Sequence, residues 1–457
     1  MRLSQQTLDR LPGAVACPNY DRDQAIGIVH FGLGAFTRAH QAWYTDRCLD
    51  VGERGWMVSG VSLRSAGVAH QLNPQDGLYT LVERSAEGET RQVLGAVGEV
   101  LVAGTDDDAI IARIASPDCH IVSFTVTEKG YCRAPDGTLD RALAEQGFYP
   151  LLEKALAVRQ TADLPGLTLL SCDNLSGNGK VLRALLTQWF AGRDSRAADY
   201  FTNRCTTPSS MVDRIVPATT DEDLAKLEQT MGLRDEGAVF TEAFSQWVIE
   251  DEFADARPQW DAQGATIVAD VEPYETAKLR MLNGAHSLLA YAGLDRGHEF
   301  VHQAIADPVL LDLVSALMRD EAAPTIQAGA GQDLDAYADS LIARFANPTL
   351  RHRLDQIAMD GSQKVAQRWL DTLAIRQERG KDSPAILTGL SHWLLHVRGD
   401  RRRVDDPMAG ALQARWQEAG ARGVVQAMFG SDGLIASRWT PDAAERAFIE
   451  ARLRADD

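Results

Sequence analysis

Apolar residues follow two regimes along this chain, and the change between them comes near residue 270. In the first regime, short apolar runs stop at glycine-rich or polar punctuation. Ile26-Gly-Ile-Val-His-Phe31 runs into Gly32-Leu-Gly34 and then a helical pattern from about 35 to 49. Residues 56–63, 120–126 and 167–172 also read as strands, 180–190 as a helix opened by Asn178-Gly179, and 266–271 as a last strand. Strand-like runs alternating with helical stretches predict an α/β sheet with crossover helices. The pattern between 211 and 271 is mixed. From Glu272 onward helical periodicity takes over, and it predicts helices over about 275–292, 298–319, 334–346, 361–375, 384–397, 408–419 and 441–454. Two domains are expected, over residues 1–270 and 271–457.

Composition narrows the class. A chain of 457 residues is too long for one ordinary core, and 45% hydrophobic with 24% charged residues is the balance of a soluble protein. No apolar run approaches the roughly 18 residues of a membrane span, and the first residues lead into no signal-like core, so cytoplasm is the expected address. A net charge of −18 repels phosphate backbones, which excludes nucleic acid as a general partner. The basic run Arg398, Arg401, Arg402 and Arg403 lies among Asp400, Asp405 and Asp406 and reads as a solvated loop. Six cysteines without a Cys-x-x-Cys pair argue for reduced thiols, with no zinc site or disulfide framework. No metal is expected.

Three stretches carry candidate chemistry. A strand that enters a Gly-x-Gly turn and then a helix is the way dinucleotide folds present backbone amides to a pyrophosphate, although Thr37 replaces the third glycine of the usual pattern. After the second strand, where an acidic residue would grip the ribose of NAD, stand Arg64, Ser65, Ala66 and Gly67. NADP is therefore not excluded. The strands at 120–126 and 167–172 end in Thr127-Glu128-Lys129-Gly130-Tyr131 and Asp173-Asn174, candidate site lining because ligands bind outside carboxyl ends of strands. At 3.6 residues per turn, Lys278, Asn283 and His286 fan over roughly 140° of one helix. An amine, an amide and an imidazole together can take a proton from a hydroxyl and hold the oxygen left behind.

Taken in order, several segments resemble the mannitol dehydrogenase family, the long-chain polyol-specific dehydrogenases and reductases. They are Gly32-Leu-Gly34-Ala-Phe36-Thr-Arg38-Ala-His40-Gln41, Thr125-Val-Thr-Glu-Lys-Gly-Tyr131, Ser171-Cys-Asp-Asn-Leu175, Met211-Val-Asp-Arg214, Gln246-Trp-Val-Ile-Glu-Asp251, Lys278-x4-Asn283-x2-His286 and Gln356-Ile-Ala-Met-Asp-Gly-Ser-Gln-Lys364. The resemblance implies an N-terminal Rossmann-type domain, a mostly α-helical C-terminal domain, and metal-independent hydride transfer with NAD at the place where the two meet. It assigns catalysis to Lys278, Asn283, His286 and Asn174, and substrate lining to Asp213 and Lys364. Gly32, Gly34, Phe36, Arg64, Thr127 and Glu128 are the expected cofactor residues.

The run from Asn347 to Lys364 looks closest to the fructuronate reductases of that family, which implies D-mannonate or D-fructuronate as substrate. Mannitol, fructose or arabinitol is the alternative. Arg351 or Arg353 can supply the bidentate partner that a uronate carboxylate needs, or can pair with Asp355 and Asp360. A monomer or homodimer is expected, with a small sugar acid or polyol as its only partner.

Overall fold

In the computed structural model, which describes residues 1–455, the chain divides into two compact units, Met1–Glu272 and the residues from Pro273 onward. The first is built on a six-stranded, all-parallel sheet: β1 (Ile26–Phe31), β2 (Met57–Ser62), β3 (Val97–Val102), β4 (Ile121–Phe124), β5 (Leu167–Ser171) and β6 (Cys205–Thr206). Its order is β3-β2-β1-β4-β5-β6. That is the doubly wound, Rossmann-type arrangement, in which the order reverses beside β1 and opens a crevice at the carboxyl ends of β1 and β4.

Strand periodicity explains why both faces are covered. Val29 and Phe31 point to one face, where they join Val122, Phe124, Leu167 and Leu169 under the helices Asp107–Ile114, Tyr149–Thr161 and Asn178–Phe190. Ile28 points to the other, with Val58, Ile121 and Leu170 under the helix Gln41–Asp50. Buried on both sides, the inner strands β2, β1, β4 and β5 are near-continuous apolar runs, as parallel strands inside a covered sheet are.

Two details differ from the sequence pattern. The single helix expected over 35–49 is two helices, Ala35–Ala39 and Gln41–Asp50, because His40 leaves helical geometry (φ −125, ψ −88). Its imidazole reaches Gln246 O at 2.9 Å and stacks on Phe36. Three strands also lie between 63 and 120, where the pattern predicts none: β3 and the hairpin Tyr79–Ser85 with Gly88–Leu94. Glu83, Arg84, Glu89 and Arg91 break up the apolar runs of that hairpin, which is buried at Tyr79–Val82 and Val93–Leu94 and opens to solvent at its turn end.

The second unit is helical around one core that includes Trp369, Trp393, Trp416 and Trp439. The stretch expected as one helix over 298–319 is interrupted at Asp307-Pro308, where Asp307 accepts from Val309 N and proline occupies the first helical turn. The helix Ala409–Phe429 runs past the expected end at 419 with a break at Gly420, and Ala443–Ala455 stands close to the expected 441–454. The basic run is not a solvated loop throughout, because Arg402 pairs with the buried Asp295 at 3.1 Å and bonds Leu294 O at the end of the helix Gly284–Asp295.

Three short π-helical turns occur in this unit, at Lys278–Asn283, Leu317–Ala322 and Ala366–Leu370. Such turns are rare, and they gather at functional sites. The first of the three packs against both others.

Candidate active site

The first unit presents the carboxyl ends of β1, β4 and β5 as one wall. Gly32 follows β1 with φ +93, and its N–H donates to Val61 O of β2 at 2.8 Å. A Cβ there would stand 2.2 Å from Thr125 O, so only glycine fits. Gly34 is different: a Cβ would meet nothing nearer than Gly32 O at 3.7 Å. No protein atom demands a glycine at 34, which leaves the backbone open to the close approach of a pyrophosphate. The turn therefore fits a dinucleotide.

Thr37, in the place of the third glycine, serves packing in another way. Its hydroxyl meets Thr125 Oγ1 at 2.6 Å and His30 Nε2 at 2.9 Å, while His30 Nδ1 meets Ser123 Oγ at 2.7 Å. Burial pushes the His30 pKa down to about 3, so the ring is neutral and acts as a hydrogen-bonding strut between β1 and β4.

Thr127 and Glu128, just past β4, are exposed. Thr127 is a β-branched residue at φ +65, a conformation that needs outside support. Asp173, at the end of β5, supplies it: its carboxylate accepts from Val126 N at 2.9 Å, Thr127 N at 2.8 Å and Tyr131 Oη at 2.9 Å. Burial raises the Asp173 pKa against the lowering effect of these donors. The next residue, Asn174, is exposed at the same wall. Arg64 is exposed beyond β2, the Phe36 ring is stacked on His40 at 5.1 Å, and Asp213 is buried at the end of the strand Ser210–Asp213, opposite Gln246.

In the second unit Lys278, Asn283 and His286 lie on one continuous helix, but its geometry corrects the even α-helical fan. Gly284 N donates to Leu279 O, five residues back, and the π turn covers Lys278–Asn283. In an α-helix residues five apart diverge by about 140°. In a π turn residue i+5 takes the place that i+4 holds in an α-helix, so Lys278 and Asn283 come onto one face.

His286 follows one turn later. Its ring packs on Phe345 at 4.7 Å and edge-on to His352 at 5.2 Å. Burial first, then His352, Arg344 and Arg368, hold its pKa well below the ordinary imidazole value. It is a neutral group near pH 7. Lys364 bonds the carbonyls of Ile357 and Met359, and burial with Arg368 lowers its pKa.

The two arginines expected to receive a carboxylate are placed differently. Arg353 is already engaged by Asp355 at 2.9 and 2.7 Å and by Glu299 at 2.5 Å, so its guanidinium fork is committed. Arg351, at φ +40, is exposed and lies over the Phe300 ring at 5.1 Å. Sequence reasoning missed Arg368, which donates to Asn283 O at 3.3 Å and Ser287 Oγ at 2.7 Å. Its one signal was a position four residues past Lys364, hence the same helical face. Among the described residues no group of three or more His, Cys, Asp or Glu is placed to hold a metal ion.

Residues 26–262 match the mannitol dehydrogenase Rossmann domain, and residues 270–434 match the mannitol dehydrogenase C-terminal domain. The chain belongs to the mannitol dehydrogenase family. It is 39% identical over 447 residues to the D-mannonate oxidoreductase of Escherichia coli (strain K12), covering 92% of this chain and 91% of that one. A D-sorbitol dehydrogenase in substrate-free form superposes with a TM-score of 0.90 at 32% identity, over 99% of this chain and 97% of that one. The Pseudomonas fluorescens mannitol 2-dehydrogenase, in a ternary complex with NAD and D-mannitol, gives a TM-score of 0.81 at 31% identity, over 100% and 96%. Membership makes this protein an NAD(P)-dependent oxidoreductase of the polyol and hexuronate dehydrogenase type. No helix among the described residues is long and apolar enough to cross a membrane.

Proposed function

We propose that this protein interconverts a secondary alcohol and a ketone of a sugar acid, D-mannonate and D-fructuronate in first place, with NAD as its cofactor and no metal. The observation that carries the reading is the π turn that sets Lys278 and Asn283 on one face, with a neutral His286 one turn beyond. A nicotinamide bound along Gly32, Gly34, Phe36, Arg64, Thr127 and Glu128 supplies the hydride acceptor. The chain itself handles the proton. Lys278 Nζ takes it from the substrate hydroxyl, Asn283 and Asn174 donate hydrogen bonds to the oxygen as it gains charge, and His286 orients the same oxygen or Lys278. In the reverse direction the Lys278 ammonium returns the proton to the carbonyl oxygen.

Support for a sugar acid comes from the similarity to a D-mannonate oxidoreductase, and the proposed partners of its carboxylate are the cationic groups Lys364 and Arg351. Asp213 completes the proposed substrate lining. The likeness to a mannitol 2-dehydrogenase favours D-mannitol and D-fructose as the second reading. A coupled assay of fructuronate, fructose, mannitol and arabinitol, each with both nicotinamide cofactors, separates them. We expect the highest kcat/KM on fructuronate with NADH. Strong turnover of mannitol with none of fructuronate overturns the first reading.

Activity is expected to survive dialysis against EDTA unchanged, and a loss restored by zinc would refute the metal-free mechanism. The pH profile gives a further check. A free lysine titrates near 10.4, so a general base working near neutrality needs its pKa lowered. Oxidation is expected to rise with pH through an apparent pKa below about 10, and that limb belongs to Lys278. His286, held neutral, adds no ionisation near pH 6.5. A second limb there, absent in His286→Gln, would show that the imidazole titrates during turnover.

A further inference from the structure

A π turn shifts backbone carbonyls out of the regular ladder, and something must hold it if it is to set side chains accurately. The two residues that close the Lys278–Asn283 turn are met by side-chain donors. Arg368 Nη1 donates to Asn283 O at 3.3 Å and to Ser287 Oγ at 2.7 Å, and Trp369 Nε1 donates to Gly284 O at 3.1 Å. Both donors sit on another π turn, Ala366–Leu370.

Arg368 is an expensive residue to place here. Its side chain is half-buried, and among the described residues no carboxylate offsets the desolvation that lowers its pKa. The groups that feel its charge are Lys364, one turn before it on the same helix, and His286 and Tyr291 on the helix it binds. A half-buried cation without a carboxylate costs desolvation, and what it meets in return is Asn283 O and Ser287 Oγ. Its contacts are to Asn283, the proposed amide donor, and to Ser287, the residue after the proposed imidazole.

We propose that Arg368 is a positioning residue: its guanidinium clamps the π turn that aligns Lys278 with Asn283. The proposal rests on the functional reading above for what the alignment is used for, though not for the clamp itself. Arg368 acts through Asn283 O and Ser287, and it keeps the turn from relaxing to regular α-helix. Relaxation would swing Asn283 off the face that carries Lys278.

The test uses full-length Arg368→Met, Arg368→Lys and Ser287→Ala, with amide hydrogen exchange and steady-state kinetics on the best substrate of the panel. In Arg368→Met, exchange over residues 278–288 is expected to quicken roughly tenfold or more, while the helix Pro384–Arg398 keeps the wild-type rate. The kcat is expected to fall about 100-fold with KM within about threefold, as for a misplacement of catalytic groups. Arg368→Lys keeps the charge and one donor and should recover part of both. Ser287→Ala should show a smaller change in the same direction. Unchanged exchange in Arg368→Met overturns the clamp. A raised KM with kcat intact overturns it also, since Arg368 would then bind substrate. If Arg368→Met does not fold, Arg368→Lys and Ser287→Ala carry the same test. Wild-type protein inactive on every polyol and uronate refutes the functional reading alone, because exchange still decides whether Arg368 holds the turn.

Discussion

Lys278→Ala is expected to lower the kcat for alcohol oxidation by about 10²- to 10⁴-fold, the range for loss of a general base. Binding of the reduced cofactor, followed by its fluorescence, should stay near wild type, because the first unit, with its Gly-x-Gly turn, is untouched. The residual rate should also lose its rising limb with pH, since no amine is left to titrate. Lys278→Arg is expected to be no better: a guanidinium stays protonated at any usable pH and cannot accept the proton. Asn283→Ala should be milder, about 10²-fold, the usual effect of removing one donor to a developing oxyanion. Near-wild-type oxidation by Lys278→Ala at every pH would show that another group takes the proton, and the role of the π turn would have to be reconsidered.

Gly32→Val is expected to have the largest effect on the first unit. Its Cβ would overlap Thr125 O, which is 2.2 Å away and part of the backbone that follows β4. A β-branched residue also resists φ +93. A left-handed conformation alone costs about 1–2 kcal/mol, and relieving the overlap must spread β1 from β4 or break the bond from Thr125 Oγ1 to Gly32 O, 2.7 Å long. A loss of roughly 3 kcal/mol or more in a urea melt is the expected outcome, with cofactor binding abolished. Gly34→Ala should separate the two functions of the turn. No protein atom blocks a methyl group there, so stability should hold while cofactor affinity drops. A Gly34→Ala protein that binds cofactor like wild type would remove the pyrophosphate from that position.

Much of the architecture is legible because hydrophobic burial is written with a period. The strands at 26–31, 57–62, 121–124 and 167–171 are short apolar runs because the sheet is buried on both faces, and the loss of such runs after 270 marks the helical unit. The hairpin Tyr79–Ser85 with Gly88–Leu94 escapes detection for the complementary reason, since its turn end meets solvent and carries charge. The break at His40 also escapes detection. It depends on Gln246, some two hundred residues away, and local propensity does not record that partner.

The candidate site divides in the same way. The sequence alone determines which groups are available, namely the glycines at 32 and 34, the Asp173-Asn174 strand end, and lysine, asparagine and histidine at fixed spacing along one helix. It left Arg353 with two partners to choose from, carboxylate substrate or Asp355. The side chains settled it, because a guanidinium two residues from Asp355 and opposite Glu299 is neutralised at once. The π turn at 278–283 has no periodic signature, since one residue too many in a turn is tolerated only where tertiary contacts hold it. Arg368 and Trp369, about eighty-five residues onward, make those contacts. Spacing along the chain thus chose the chemistry, whereas packing between distant helices decided that Lys278 and Asn283 face the same way.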